Sequence, residues 1–235
     1  MVRAIVFCFF NFIDPKMNEI NVIQNMEKAH HEFLNALLKG NHSSCRDFVD
    51  TYKKNQISIQ ELYENIFRNS LYEVGELWEY NKISVATEHL ASAIVESILN
   101  ELYKDIVVKE KGSKKVITTC VENEHHQIGI RMVSDIFEMH GWQTYFLGSN
   151  TPNAELIDLI ELIKPDIIAV SLSLYFNLPK LDSLLKVIHD RFPDSLVLVG
   201  GQAFKYGGLD LLNTYQNVIF KPDLKSIEMF IKNFK

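Results

Sequence analysis

The apolar period of this chain changes part-way along it, and that change limits the folds open to it. From residue 116 onward, apolar runs of strand length at 116–121, 143–147, 166–172, 196–199 and 218–220 alternate with amphipathic stretches. The amphipathic stretches fall near 128–140, 153–163, 179–191, 204–213 and 223–234 and have helical spacing. Strands separated by helices cannot pair as hairpins. The crossovers make neighbouring strands parallel and cover both faces of the sheet.

Residues 18–103 show only helical periodicity. Ile23, Met26, Phe33, Leu34 and Leu37 recur at helix spacing before a stop at Gly40, and a short second helix carries Phe48, Val49 and Tyr52. Ser58 and Glu61 form a capping box for a third helix, which sets Leu62, Ile66, Phe67, Leu71, Val74, Leu77 and Trp78 on one broad face. Ser84 caps a fourth helix running to Tyr103. The predicted architecture is α + α/β: a four-helix bundle over 18–103, a charged linker over 104–115, and a five-stranded, parallel, doubly wound (flavodoxin-like) sheet over 116–235. Residues 1–17 are read as a tail. Their apolar run 2–13 is too short to span a bilayer and lacks a small-residue cleavage site, so a start at Met17 is favoured over a secretory signal.

Charge and cysteine content narrow the function. The net charge of −6 carries no basic block, which argues against direct nucleic-acid binding. Cys8, Cys45 and Cys120 are odd in number and scattered, forming neither a disulfide framework nor a zinc site; this suits a reducing cytoplasm. No membrane association is expected.

Ligands of doubly wound sheets bind outside the carboxyl ends of the strands, so the residues that follow each strand matter most. The first strand leads into Glu122-Asn123-Glu124-His125-His126-Gln127-Ile128-Gly129, without the glycine pattern of a dinucleotide phosphate turn. A neutral imidazole at His126 is a good metal ligand, and Glu124 two residues earlier can fix its tautomer. A single such histidine suits a metal that brings its own equatorial ligands, as in a corrin or haem. Ser171 and Ser173 follow the third strand and Gly200-Gly201 the fourth, small residues expected to leave a slot at the sheet edge.

Taken in order, Glu124-x-His126-x-x-Gly129, Ser171-x-Ser173 and Gly200-Gly201 resemble the base-off, His-on cobalamin-binding domain of methionine synthase and corrinoid carrier proteins. The resemblance covers about residues 114 to 235. It implies that His126 is the lower axial ligand of cobalt, that Glu124 is its hydrogen-bond partner, and that Ser171, Ser173, Gly200 and Gly201 line the nucleotide tail. Glu124 stands where that family usually has aspartate, and Ser173 where leucine or threonine is common.

The bundle adds a second pattern. Trp78, nine intervening residues, then Glu88-His89 is similar to the W-x9-E-H signature of the CarH/LitR family of cobalamin photoreceptors. That resemblance implies adenosylcobalamin, its upper face capped by Trp78, Glu88 and His89. Glu79 occupies the position of a family histidine that takes the upper cobalt site after photolysis. The family's repressors carry an N-terminal DNA-binding domain; about 17 residues precede the bundle here, so a separate signalling partner is expected.

The expected function is therefore that of a light sensor, not an enzyme, acting through a conformational change or a homo-oligomer. A corrinoid methyl carrier of a methyltransferase system, holding methylcobalamin or hydroxocobalamin, is the alternative. A mutase subunit lacks a barrel-sized substrate domain. A cofactor-free response-regulator-like module would use Glu122, Glu124 and Lys221 but has no role for His126 or Gly200-Gly201.

Overall fold

A computed structural model describes the backbone of residues 15–234 and the side chains of residues 26–234. The expected tail therefore lies largely outside the described residues, as does the side chain of Ile23. Helix α1 spans Pro15–Leu38, with proline at its first position where no backbone donor is needed. The chain reverses at Gly40 (φ +64°). Helix α2, His42–Lys54, follows an Asn41 side chain that accepts from the Ser44 amide.

The capping box forms as expected: Ser58 accepts from the Glu61 amide while Glu61 reaches back to the Ser58 amide. The helix it starts is not uniform. Helix α3, Ile59–Glu61, passes into a π-helical turn, Leu62–Phe67, and then into α4, Arg68–Glu79. The wider turn rotates the apolar stripe so that Leu62, Tyr63, Ile66 and Phe67 are all buried. Helix α5, Val85–Ile106, is capped by Ser84, whose side chain accepts from the Thr87 amide.

The second half has five strands: β1 Lys115–Cys120, β2 Gln143–Gly148, β3 Ile167–Ser171, β4 Leu196–Gly200 and β5 Val218–Phe220. All pairings are parallel, in the order β2-β1-β3-β4-β5. The crossovers are α6 Ile128–Met139, α7 Asn153–Ile163, α8 Leu178–Arg191 and the short α9 Leu209–Leu212, with α10 Leu224–Asn233 last. The single helix expected near 204–213 is instead a 3-10 segment, Gln202–Tyr206, and α9. Gly207 and Gly208 (φ +126° and +89°) break it between them.

Two apolar cores flank the sheet. One, on the side of α7 and α8, is built from Ile117, Val170, Leu184 and Ile188 among others. The other joins the two halves of the chain: Phe33, Phe67 and Leu99 of the helical region are continuous with Val116, Ile136, Phe137 and Ile227. The bundle therefore packs on α6 and α10. Polar contacts fix its position as well. The Tyr63 hydroxyl donates to buried Asp135 on α6 at 2.9 Å, and the Leu224 amide donates to Glu64 at 3.0 Å. The Lys205 ammonium sits 4.1 Å over the Tyr72 ring.

Candidate functional site

In this strand order the connections leave β1 and β3 in opposite directions, so the crevice above them is where a doubly wound sheet takes its ligand. The segment between β1 and α6 is drawn in tightly. Asn123 is left-handed (φ +65°), its amide donates to the Asn150 side chain at 3.1 Å, and the Asn150 amide donates to the Glu124 carbonyl at 3.0 Å.

Glu124 is fully buried, and a buried carboxylate must be met by donors. Its Oε2 accepts from the Leu174 amide at 2.9 Å, the Ser173 amide at 3.2 Å and Asn177 Nδ2 at 3.5 Å. Its Oε1 accepts from the His126 amide at 3.2 Å and from His126 Nδ1. Burial pushes this carboxyl up, but the His126 and Leu174 bonds outweigh it and hold the pKa at about 2. The His126 imidazole is pulled up chiefly by its bond to Glu124 against burial. The charge of Glu88, from the bundle, adds to that rise.

With Nδ1–H committed to Glu124, the ring is fixed in tautomer and direction. No described residue bonds to Nε2, and the His126 side chain is half exposed (51%). Cys120 Sγ, its thiol pushed up to about 12 mainly by burial, donates to the His126 carbonyl at 3.5 Å and steadies the loop from below. Among the described residues no group of three or more His, Cys, Asp or Glu could hold a metal ion. The imidazole would serve a metal already held in its own ring of nitrogens.

The glycines differ in what they do. A Cβ on Gly129, in the first turn of α6 and three residues on from His126, would meet nothing within 4 Å, so the backbone there faces open space. Gly200 and Gly201 are instead closed in. A Cβ on Gly201 (φ +118°) would lie 2.1 Å from the Leu172 carbonyl oxygen, and one on Gly200 would lie 2.8 Å from that of Lys221. Their small size therefore brings β4 against its neighbours, and the slot expected from them is not opened by the missing side chains. Ser171 is buried in register with Gly200, and Ser173 contributes its amide to Glu124.

On the bundle, Trp78 ends α4 half exposed (49%), and Glu79 beside it is exposed. Glu88, in the first turn of α5, accepts from His89 Nδ1 at 2.5 Å and from Ser92 Oγ at 2.9 Å, so its position on an apolar arc is satisfied by its own helix. Val85 and Leu90 are exposed, as are Tyr175, Phe176, Tyr206 and Leu209 on the segments after β3 and β4. Large apolar side chains are thus left in water on both halves. Concavities of 390 and 620 Å³ occur elsewhere, along α4 and between the linker and α10; His126 lines neither.

Sequence reasoning missed Asn177, Asn150, Gln127 and Glu96. Only Asn177 left a signal, as an asparagine just ahead of Leu178-Pro179 where a helix starts; its side chain serves Glu124 instead of capping α8.

Two domain families, each described as "B12 binding domain", match the chain, one over residues 114–221 and the other over 29–103. The chain is a B12-binding domain protein. The HTH-type transcriptional repressors CarA and CarH of Myxococcus xanthus are similar to it, at 30% identity over 90 residues and 25% over 142. These stretches cover 38% and 60% of this chain but only 31% and 47% of the repressors. Dimethylamine corrinoid protein 1 of Methanosarcina acetivorans is 22% identical over 153 residues, 63% of this chain and 71% of that protein. The monomethylamine corrinoid protein of Methanosarcina barkeri shares the fold, with a TM-score of 0.73 at 14% identity over 86% of this chain and 96% of that one. The B12-binding protein thus has a helical region followed by a parallel five-stranded sheet, as corrinoid proteins do. Its residues suit a corrin: one imidazole with a free Nε2, open space at Gly129, and exposed apolar side chains on both halves.

Proposed function

We propose that this protein is a light-responsive regulator, not an enzyme, which holds adenosylcobalamin base-off with His126 as the lower axial ligand. The observation that carries the reading is the Glu124–His126 pair, which presents Nε2 outward from the switch point of the sheet. Adenosylcobalamin, when bound, supplies a cobalt–carbon bond that visible light breaks. Everything else falls to the chain. Glu124 keeps the imidazole in one tautomer, and Gly129 leaves the start of α6 uncovered for the corrin. The Trp78 indole covers the upper group, while Glu88 and the Nε2 of His89 offer acceptors to adenosine. Contacts made to the upper group in one state only would move the bundle, and that movement would reach a second copy or a separate regulatory partner. Similarity to the two repressors supports this reading, and a cytoplasmic site of action agrees with the buried, unpaired Cys45 and Cys120. No described helix is long and apolar enough to cross a membrane.

The test is reconstitution with adenosylcobalamin in the dark, followed by illumination, reading absorption and elution volume together. A spectral change accompanied by a change in size or shape is expected, and loss of both in His126→Ala. An unchanged elution volume with a bleached spectrum contradicts the regulatory reading. Similarity to the dimethylamine corrinoid protein favours a second reading, a methyl carrier that holds methylcobalamin and works with methyltransferases. That reading predicts rapid methyl transfer to a thiol acceptor when a methyltransferase is added, with no dependence on light.

A further inference from the structure

Helix α5 meets the histidine-bearing segment through a polar stripe. Glu88, Ser92 and Glu96 lie four residues apart along it, one above the other on a single face. Ser92 donates to Glu88, and Glu96 Oε1 accepts from Gln127 Nε2 at 3.0 Å. Gln127 directly follows His126 and holds the N-cap position of α6, yet its side chain makes no capping bond. It crosses to the bundle instead. Its other end lies beside β2. Gly148, at the end of β2 with φ +70°, is so close that a Cβ there would lie 2.6 Å from Gln127 Oε1. The Gln127 amide thus bonds a bundle carboxylate at one end and lies against a left-handed strand end at the other. One helical turn further on, Arg131 lies between the Tyr103 ring of α5 (5.4 Å) and Phe146 of β2 (5.3 Å), continuing the same contact line.

We propose that Glu96 and Gln127 form a strut through which α5 sets the position of His126, so that displacement of the bundle weakens the histidine's hold on cobalt. The inference rests on the cobalamin reading above. Glu96 and Gln127 act as positioning residues; neither need touch the cofactor. The strut makes coupling reciprocal, because whatever α5 gains from one setting of the His126 segment, that segment gains from α5.

The test uses protein loaded with cobalamin reduced to cobalt(II), made once with natural-abundance and once with nitrogen-15 histidine. Electron paramagnetic resonance then reports whether a histidine nitrogen is on the metal, through a splitting that changes from triplet to doublet with the isotope. Wild type is expected to show the isotope-sensitive splitting and His126→Ala to lose it; failure at this step rejects the cobalamin reading and the strut with it. Given that splitting, Glu96→Ala is expected to lower the ratio of histidine-bound to histidine-free cobalt about tenfold, as for loss of a hydrogen bond to a charged acceptor. Glu96→Gln keeps an acceptor and is expected to stay close to wild type. Gln127→Glu sets two carboxylates together and loses more than Glu96→Ala; combining it with Glu96→Gln restores an amide–carboxylate pair and the splitting. In cofactor-free protein, amide exchange over 125–131 is expected to speed up in Glu96→Ala and to recover in the exchanged pair. An unchanged ratio in Glu96→Ala, or no recovery in the exchanged pair while its melting matches wild type, overturns the strut.

Discussion

A carboxylate with no exposure, two residues from a half-exposed imidazole, makes a pH signature that cofactor-free protein can be tested for. The Glu124 pKa is depressed to about 2 from its ordinary 4.5, so its share of stability is present above 4.5 and lost as pH falls toward 2. The His126 pKa is raised above 6.5, so its share is complete below 6.5 and lost as pH rises through the raised value. Denaturant titrations should therefore find wild type most favoured over His126→Ala between those limits, with the gap narrowing on either side. A pH-independent gap would mean the pair is not ionised together. The glycines give a second contrast. Gly201→Ala is expected to cost about 1–3 kcal/mol or more, since it needs both an unusual φ and space held by the Leu172 carbonyl. Gly129→Ala should stabilise cofactor-free protein by about 0.5–1 kcal/mol, alanine being the better helix former. It should also weaken cobalamin binding, because its methyl enters the open space; unchanged affinity would remove Gly129 from the site. The Glu124–His126 bond could be read from sequence because its spacing is local. The Ser173 and Leu174 amides, Asn177 and Asn150 could not, since backbone donors carry no residue signature and loops up to 53 residues apart meet only when the sheet forms.

At the scale of elements, the join between bundle and sheet turns on the π-helical turn at Leu62–Phe67. That turn buries Tyr63 completely and aims its hydroxyl at Asp135, which Arg131 also pairs at 3.0 Å. Tyr63→Phe keeps the ring but leaves a buried carboxylate short of one donor. It should lower stability by about 1–3 kcal/mol in urea unfolding, and a change below a few tenths would show the bond to be energetically idle. Helix existence was plain from apolar spacing and capping residues: Ser58 with Glu61, and Ser84, cap helices as their chemistry requires. The π turn was not. Apolar spacing records which residues face inward and tolerates one extra residue in a turn, so Tyr63 went unread as core. The helix expected near 204–213 failed for a related reason. Its apolar spacing was sound, but Gly207-Gly208 adopts φ values that end a helix.

For the molecule as a whole, one core runs from the bundle through α6 and α10 to the sheet, so the two halves are placed by burial before any cofactor binds. Strand–helix alternation was enough to predict a parallel doubly wound sheet, while the face on which the bundle would dock had no local signal. In the proposed function a corrin lies between His126 below and the Trp78, Glu88 and His89 side chains above. A crystal structure of the protein grown with adenosylcobalamin in the dark tests it most directly. His126 Nε2 bonded to cobalt, dimethylbenzimidazole displaced from it, and Trp78 against the upper group are the expected result. Dimethylbenzimidazole still on cobalt, or a corrin seated away from the imidazole, would contradict it.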